Sequence, residues 1–181
     1  MGVVFIVLAI FVVGVGYYYN TLIQGRIHVK EGWSGIDVQL KRRHDLISNL
    51  IEVVKGYAQH EREVLENVIR LRAQSTGEGG VKAKAVLENG ITNALKTLFA
   101  VVEAYPDLKA NQNFIDLSNG LTEIEDEIQL ARRYYNGTVR NYNIKVQSFP
   151  GNIIAGFFRF AAAEFFEIEI STQRAAPKVQ L

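Results

Sequence analysis

The sequence predicts an all-α protein: an N-terminal transmembrane helix followed by an antiparallel up-and-down four-helix bundle with an apolar C-terminal extension. Three observations predict it. The first 25 residues carry no charged side chain. Most of the following chain repeats apolar residues in three- and four-residue steps, the signature of helices with one buried stripe. Only three prolines occur, Pro106, Pro150 and Pro177, so long helices have room to form.

The anchor is the run Val3 to Tyr19, VVFIVLAIFVVGVGYYY. About 20 residues of helix, at roughly 1.5 Å each, span a hydrocarbon layer ~30 Å thick. A single helix satisfies its own backbone hydrogen bonds there. Tyr17, Tyr18 and Tyr19 fall where an interfacial aromatic belt is expected. A cleaved signal peptide needs a basic start and a small-x-small cleavage site; here no Lys or Arg precedes the run and bulky tyrosines close it. A buried core helix is the remaining alternative. Arg26, Lys30, Lys41, Arg42 and Arg43 follow the run and no basic residue precedes it. The expected topology is therefore single-pass in the cell membrane, with the N-terminus outside and the bundle cytoplasmic.

The first bundle helix carries Trp33, Ile36, Leu40, Ile47, Leu50, Val54 and Tyr57, interrupted by Arg43. It either continues the anchor or follows it. Glu61 to Gln74 reads as a second helix, and Ser75 to Gly80 as a loop. A third runs from about Lys82 to Ala104 on Leu87, Ile91, Ala94, Leu98, Val101 and Tyr105, and Pro106 ends it. A fourth runs from about Ala110 to Gln147 on Phe114, Leu117, Leu121, Ile124, Ile128, Ala131 and Tyr135. This coiled-coil-like rhythm favours near-antiparallel packing, and short links make sequential helices neighbours.

The expected units are an anchor at 1–22, a bundle at 23–148, a Phe-rich segment at 149–170 and a loose tail at 171–181. Six of the ten phenylalanines lie in the third unit: Phe149, Phe157, Phe158, Phe160, Phe165 and Phe166. Two readings stay open for them: a cap over one end of the bundle, or an exposed patch for a partner or a membrane surface. Residues 165–170 read as a short strand or an irregular extension.

Chemistry is sparse. There is no cysteine, which removes disulfides and thiolate chemistry. The net charge of +1 gives no field for nucleic acid. His28, His44 and His60 are sixteen apart, and none is preceded three residues earlier by the glutamate of a di-iron bundle. Gly77 to Gly80 lacks the Lys-Ser/Thr ending of a phosphate loop. Asn136-Gly137-Thr138 matches a glycosylation sequon, but within an expected helix. The acidic run Glu123, Glu125, Asp126 and Glu127 reads as a solvated helix face. No catalytic, cofactor or metal residue is assigned.

Arg43 is the exception to the pattern. A guanidinium on an apolar stripe needs a partner, because an unpaired interior charge costs several kcal/mol. It either joins a polar layer with an acid on another helix or snorkels outward. Asp37, Arg43, His44 and Asp45 are the candidate layer, and the foothold for a ligand-binding or enzymatic alternative. Otherwise the expectation is a membrane-bound scaffold or adaptor without catalysis or cofactor. Its partners would be the lipid bilayer and an unidentified protein, or further copies of itself in a homo-oligomer.

Several segments then resemble the LemA family. They are Glu31-Gly32-Trp33-Ser34-Gly35-Ile36-Asp37-Val38-Gln39-Leu40-Lys41-Arg42-Arg43-His44-Asp45-Leu46-Ile47, Val54-Lys55-Gly56-Tyr57-Ala58 with His60-Glu61, and Tyr105-Pro106-Asp107-Leu108-Lys109-Ala110-Asn111. Ala131 to Asn136, Tyr142-Asn143, Phe149-Pro150 and Phe165-Phe166-Glu167 continue the match in order over nearly the whole chain. The resemblance implies an N-terminal membrane anchor, a helical body and no established catalytic residues. It also implies membrane association, with some members tied to magnetosome formation. Many relatives have proline where this chain has Ser48, which predicts a straighter first helix here.

Overall fold

The computed structural model describes residues 1–58, 60–77 and 79–167. Among the described residues six helices follow one another: α1 (Gly2–Tyr57), α2 (Arg62–Ser75), α3 (Val81–Val102), α4 (Pro106–Lys109), α5 (Gln112–Gln147) and α6 (Gly151–Phe157). No strand occurs among the described residues. The short helices α4 and α6 were not expected. Pro106 starts α4 instead of merely stopping the previous helix, because proline's fixed φ suits a first turn.

The N-terminal apolar stretch and the helix that follows it are one element. At about 1.5 Å per residue, the 56 residues of α1 extend roughly 84 Å without a break. Its N-terminal part is the one helix among the described residues long and apolar enough to cross a membrane. None of that stretch is buried inside the protein. Val3 to Val13 present their side chains outward, which removes the core-helix alternative.

From Leu22 onward α1 packs. Gly25 lies against Tyr142, Gly32 against Tyr135 and Leu46 against Gly120, while Asn111 donates to the Tyr57 hydroxyl. Numbers rise along α1 as they fall along α5. The two backbones approach closely at Gly25 and Gly32. A Cβ on Gly25 would sit 3.0 Å from the Tyr142 ring, and one on Gly32 3.2 Å from the Tyr135 Cα. Leu71 meets Gly90, and Ser75 meets Glu88, so α2 and α3 pair in opposite senses as well.

Among the described residues three apolar clusters fill the interior. The one farthest from the apolar stretch joins Ile47, Leu50, Val54, Val68, Ile91, Leu98, Leu108 and Phe114. The middle one joins Ile36, Leu40, Ala85, Ile128, Tyr135, Val139 and Phe166. The third, beside the apolar stretch, sets Leu22 against Ile154 and Ala155 of α6. Tyr57 departs from the expected stripe and is exposed, at the frayed end of α1.

The segment after α6 is extended and is held by side chains of α5. Asn143 Nδ2 donates to the Ala163 carbonyl at 2.9 Å, and Ala163 N–H donates to Asn143 Oδ1 at 2.8 Å. Asn136 makes the same double bond with Phe166, at 3.3 and 2.9 Å. Tyr135 and Tyr142 hydroxyls donate to the Glu164 and Ala161 carbonyls. The two Tyr-Asn pairs are one heptad apart, about 10.5 Å along a helix. The step from residue 163 to 166 covers about 10 Å of extended chain. The two repeats match, so each carboxamide acts as the neighbouring strand would. Of the two readings for residues 165–170, a short strand or an irregular extension, residues 165–167 take the second, as part of an extended strap clipped by side chains; 168–170 lie outside the described residues.

Candidate functional site

Among the described residues, the buried charged side chains form one cluster, drawn from all four long helices. Arg43 and His44 come from α1, Ser75 from α2, Glu88 and Thr92 from α3, and Glu125 from α5. Arg43 Nη1 lies 3.5 Å from Glu88 Oε2, and its Nη2 lies 2.7 Å from Thr92 Oγ1 and 3.3 Å from Glu125 Oε2. His44 Nε2 donates to Glu88 Oε1 at 3.0 Å, and the Ser75 hydroxyl donates to the same oxygen. Arg43 is 2 % exposed and Glu88 3 %.

Local sequence places these groups. Arg43 occupies a core position of the series Ile36, Leu40, Arg43, Ile47, Leu50. Glu88 does the same in Ala85, Glu88, Ile91, Leu95, Leu98. Each helix therefore carries one charge on its buried face, at the same level and of opposite sign. The cluster lies between the far and middle apolar clusters, where both ions are taken out of water and are compensated by their mutual pairing and by the hydrogen bonds and charge of Thr92, Glu125, His44 and Ser75.

The electrostatics follow the geometry. Burial alone would raise the Glu88 carboxyl, but hydrogen bonds from His44 and Ser75, with the charges of His44 and Arg43, outweigh it and hold the group below its usual value. Burial lowers the Arg43 guanidinium, opposed by Glu125 and Glu88, with Arg132 adding repulsion. An ionised Glu88 and a charged Arg43 are the states this arrangement supports.

The candidate layer read from sequence is thus divided. Arg43 and His44 are inside. Asp37 is exposed and pairs with Lys84 at 2.9 Å, with the Lys84 ammonium over the Trp33 ring, 5.6 Å from its centroid. Asp45 is exposed, one residue round the helix from His44. Sequence reasoning missed Glu88, Thr92, Ser75 and Glu125. The sequence pattern puts Ser75 in a loop, but it closes α2 with its side chain buried. The acidic run reads as a solvated face; Glu123, Asp126 and Glu127 do face solvent, but Glu125 turns inward to Arg43. The legible signal was Glu88, a charge on an apolar stripe matching the interruption at Arg43.

The six phenylalanines also divide. Phe166 is 1 % exposed and packs on Trp33 in the middle cluster, with Phe165 partly buried beside it. Phe160 stacks on Tyr19 and under Arg26. Phe149, Phe157 and Phe158 are exposed, on and beside α6. Among the described residues no group of three His, Asp or Glu side chains is arranged to hold a metal ion.

Comparison with known proteins gives consistent relatives. Magnetosome protein MamQ 2 of Paramagnetospirillum magneticum is 27% identical over 175 residues, covering 82% of this chain and 64% of the relative. Magnetosome protein MamQ of Magnetospirillum gryphiswaldense is 24% identical over 174 residues, with the same coverages. Protein LemA of Metamycoplasma hominis is 26% identical over 180 residues, covering 93% of this chain and 82% of the relative. The chain thus spans under two thirds of the length of the MamQ relatives. The family model described as LemA family matches residues 32–181, from the buried face of α1 through the strap and beyond. The chain belongs to the LemA family.

Proposed function

We propose that this protein is a membrane-anchored, non-catalytic scaffold or adaptor. In this reading the four long helices close as an up-and-down bundle, carried at a fixed height by the uninterrupted α1. The observation that carries it is the continuity of α1 from its exposed apolar stretch into the buried core. A bundle on a flexible linker samples many orientations; one built on a continuous helix presents fixed surfaces.

The internal cluster supports the absence of catalysis. Arg43, His44 and Glu88 are buried and mutually paired, so a substrate has no approach to them. Active sites keep their reacting groups open to a cleft. The cluster instead links all four long helices, the use of buried charge best attested for fixing register. Sidedness follows the basic residues after the apolar stretch, placing the bundle in the cytoplasm. The relatives named as magnetosome proteins point to a role in a cellular structure more than in a reaction.

Crosslinking in native membranes, followed by gentle solubilisation and mass determination, tests the proposal. A ladder of this chain alone supports a self-assembling scaffold. Reproducible capture of one other protein supports an adaptor. A monomer without any partner overturns both.

A further inference from the structure

The short helix α6 is docked beside the apolar stretch of α1, away from the far end of the bundle. Ile154 and Ala155 are buried against Leu22, and Phe158 stacks on Tyr19 with ring centroids 4.8 Å apart. Among the described residues nothing covers the opposite face of α6. Phe149 is 80 % exposed and Phe157 81 %, with Ile153 between them also exposed. These side chains and Phe11, Val15 and Tyr18 of α1 line one apolar groove of about 500 Å³.

One wall of this groove is the helix that is apolar enough to cross a membrane. From Phe11 to Tyr18 that wall rises about 10 Å, a large part of one leaflet. The exposed apolar surface runs from Val3 to Tyr17 and on to Phe149, Ile153 and Phe157 without change of character. Whatever fills the groove must lie at the depth of the span, where acyl chains are in excess. The local backbone is prepared for that medium. Asn152 and Ile153 N–H groups bond to Ser148 and Pro150 carbonyls, and Phe158 and Phe160 N–H groups to Ile154 and Ala155 carbonyls.

Charge agrees. No Asp or Glu occurs in residues 1–30 or 128–163, yet these stretches include Arg26, Lys30, Arg140, Lys145 and Arg159. No charged residue lies between Lys145 and Arg159, the segment that contains α6. The apolar foot is thus flanked by cations alone, as suits side chains that reach lipid headgroup phosphates over an apolar stem.

We propose that α6 with Phe149, Ile153 and Phe157 is a second membrane contact, seated in the leaflet next to the span and holding lipid acyl chains in the groove it forms with α1. The proposal rests on the reading that the apolar stretch of α1 spans a bilayer. With two contacts, the bundle could neither rotate about the span nor tilt freely from it.

The chain has no cysteine, so an introduced thiol is unique. Full-length Ile153→Cys and Phe157→Cys variants would be nitroxide-labelled and reconstituted into phosphatidylcholine–phosphatidylglycerol vesicles. Collision with oxygen is compared with collision with a water-soluble nickel chelate. Val12→Cys in the apolar stretch and Lys96→Cys on the exposed face of α3 serve as references. The expected oxygen-to-nickel ratio at both test sites shifts from the Lys96 value to the Val12 value. A ratio at the Lys96 value while Val12 stays lipid-exposed overturns the foot alone. Low collision with both reagents overturns it too, and spin–spin broadening relieved by unlabelled protein then identifies a second copy as the occupant. Water exposure at Val12 overturns the span reading and the foot together.

Discussion

Arg43 of α1 and Glu88 of α3, 45 residues apart in sequence, meet in the interior with guanidinium and carboxylate 3.5 Å apart. The ion pair lies between two apolar clusters, and each ion has further partners: Thr92 and Glu125 on Arg43, His44 and Ser75 on Glu88.

Removing one partner leaves a buried charge. Arg43→Met is expected to cost roughly 3 kcal/mol, near the lower end for breaking a buried pair, because Glu88 keeps His44 and Ser75. Thermal unfolding of the full-length protein in detergent, followed by circular dichroism, measures this. An unchanged midpoint with a single folded species would sink the register role.

The same carboxylate gives the stability a direction with pH. Its native pKa lies below the usual 4.5 because the hydrogen bonds and cations outweigh burial. As pH falls through that value the unfolded chain binds the proton first, so the contribution of Glu88 is present above 4.5 and lost as pH falls through the native pKa. Glu88→Gln should therefore be less stable at neutral pH and show a flatter acid limb in a pH series of unfolding midpoints.

The close approach of α1 and α5 predicts opposite results at two glycines on one helix. Gly32→Leu must push against the Tyr135 backbone and the Thr138 hydroxyl and should cost about 1–3 kcal/mol. Gly35 has nothing within 4 Å of a built Cβ, so Gly35→Ala should gain up to about 1 kcal/mol from helix propensity. Equal effects at both sites in thermal unfolding would contradict the packing described.

The strap depends on carboxamides that both donate and accept. Asn143→Asp keeps the acceptor for Ala163 N–H but presents an oxygen to the Ala163 carbonyl. The expected loss is about 1–3 kcal/mol for the unmet carbonyl, with faster amide exchange at Ala163 and Phe166. Exchange unchanged at both amides would show that the strap is held by Phe166 packing alone.

How far the sequence reached depends on the range of the interaction. The stripes on α1, α3 and α5 were readable because a helix face is a property of neighbours three and four residues apart. The heptad repeat of Tyr135-Asn136 and Tyr142-Asn143 was visible, but its meaning was not. It serves a segment twenty to thirty residues later whose extended form has no propensity signal of its own. Glu125 was misassigned because it lies among neighbours that do face solvent, and only the position of α1 makes it an interior partner.

By itself, the sequence determined that the chain is helical, that its first stretch is apolar enough for a membrane, and that one arginine would need an answer from elsewhere. These follow from composition and period, which act along the chain. Tertiary structure alone decided that Glu88 gives that answer, that Phe166 goes inside while Phe149 and Phe157 stay out, and that α6 lies against the apolar stretch. Those outcomes depend on which surfaces meet after the helices form. Desolvation and pairing energies are set by neighbours distant in sequence, which no local pattern encodes.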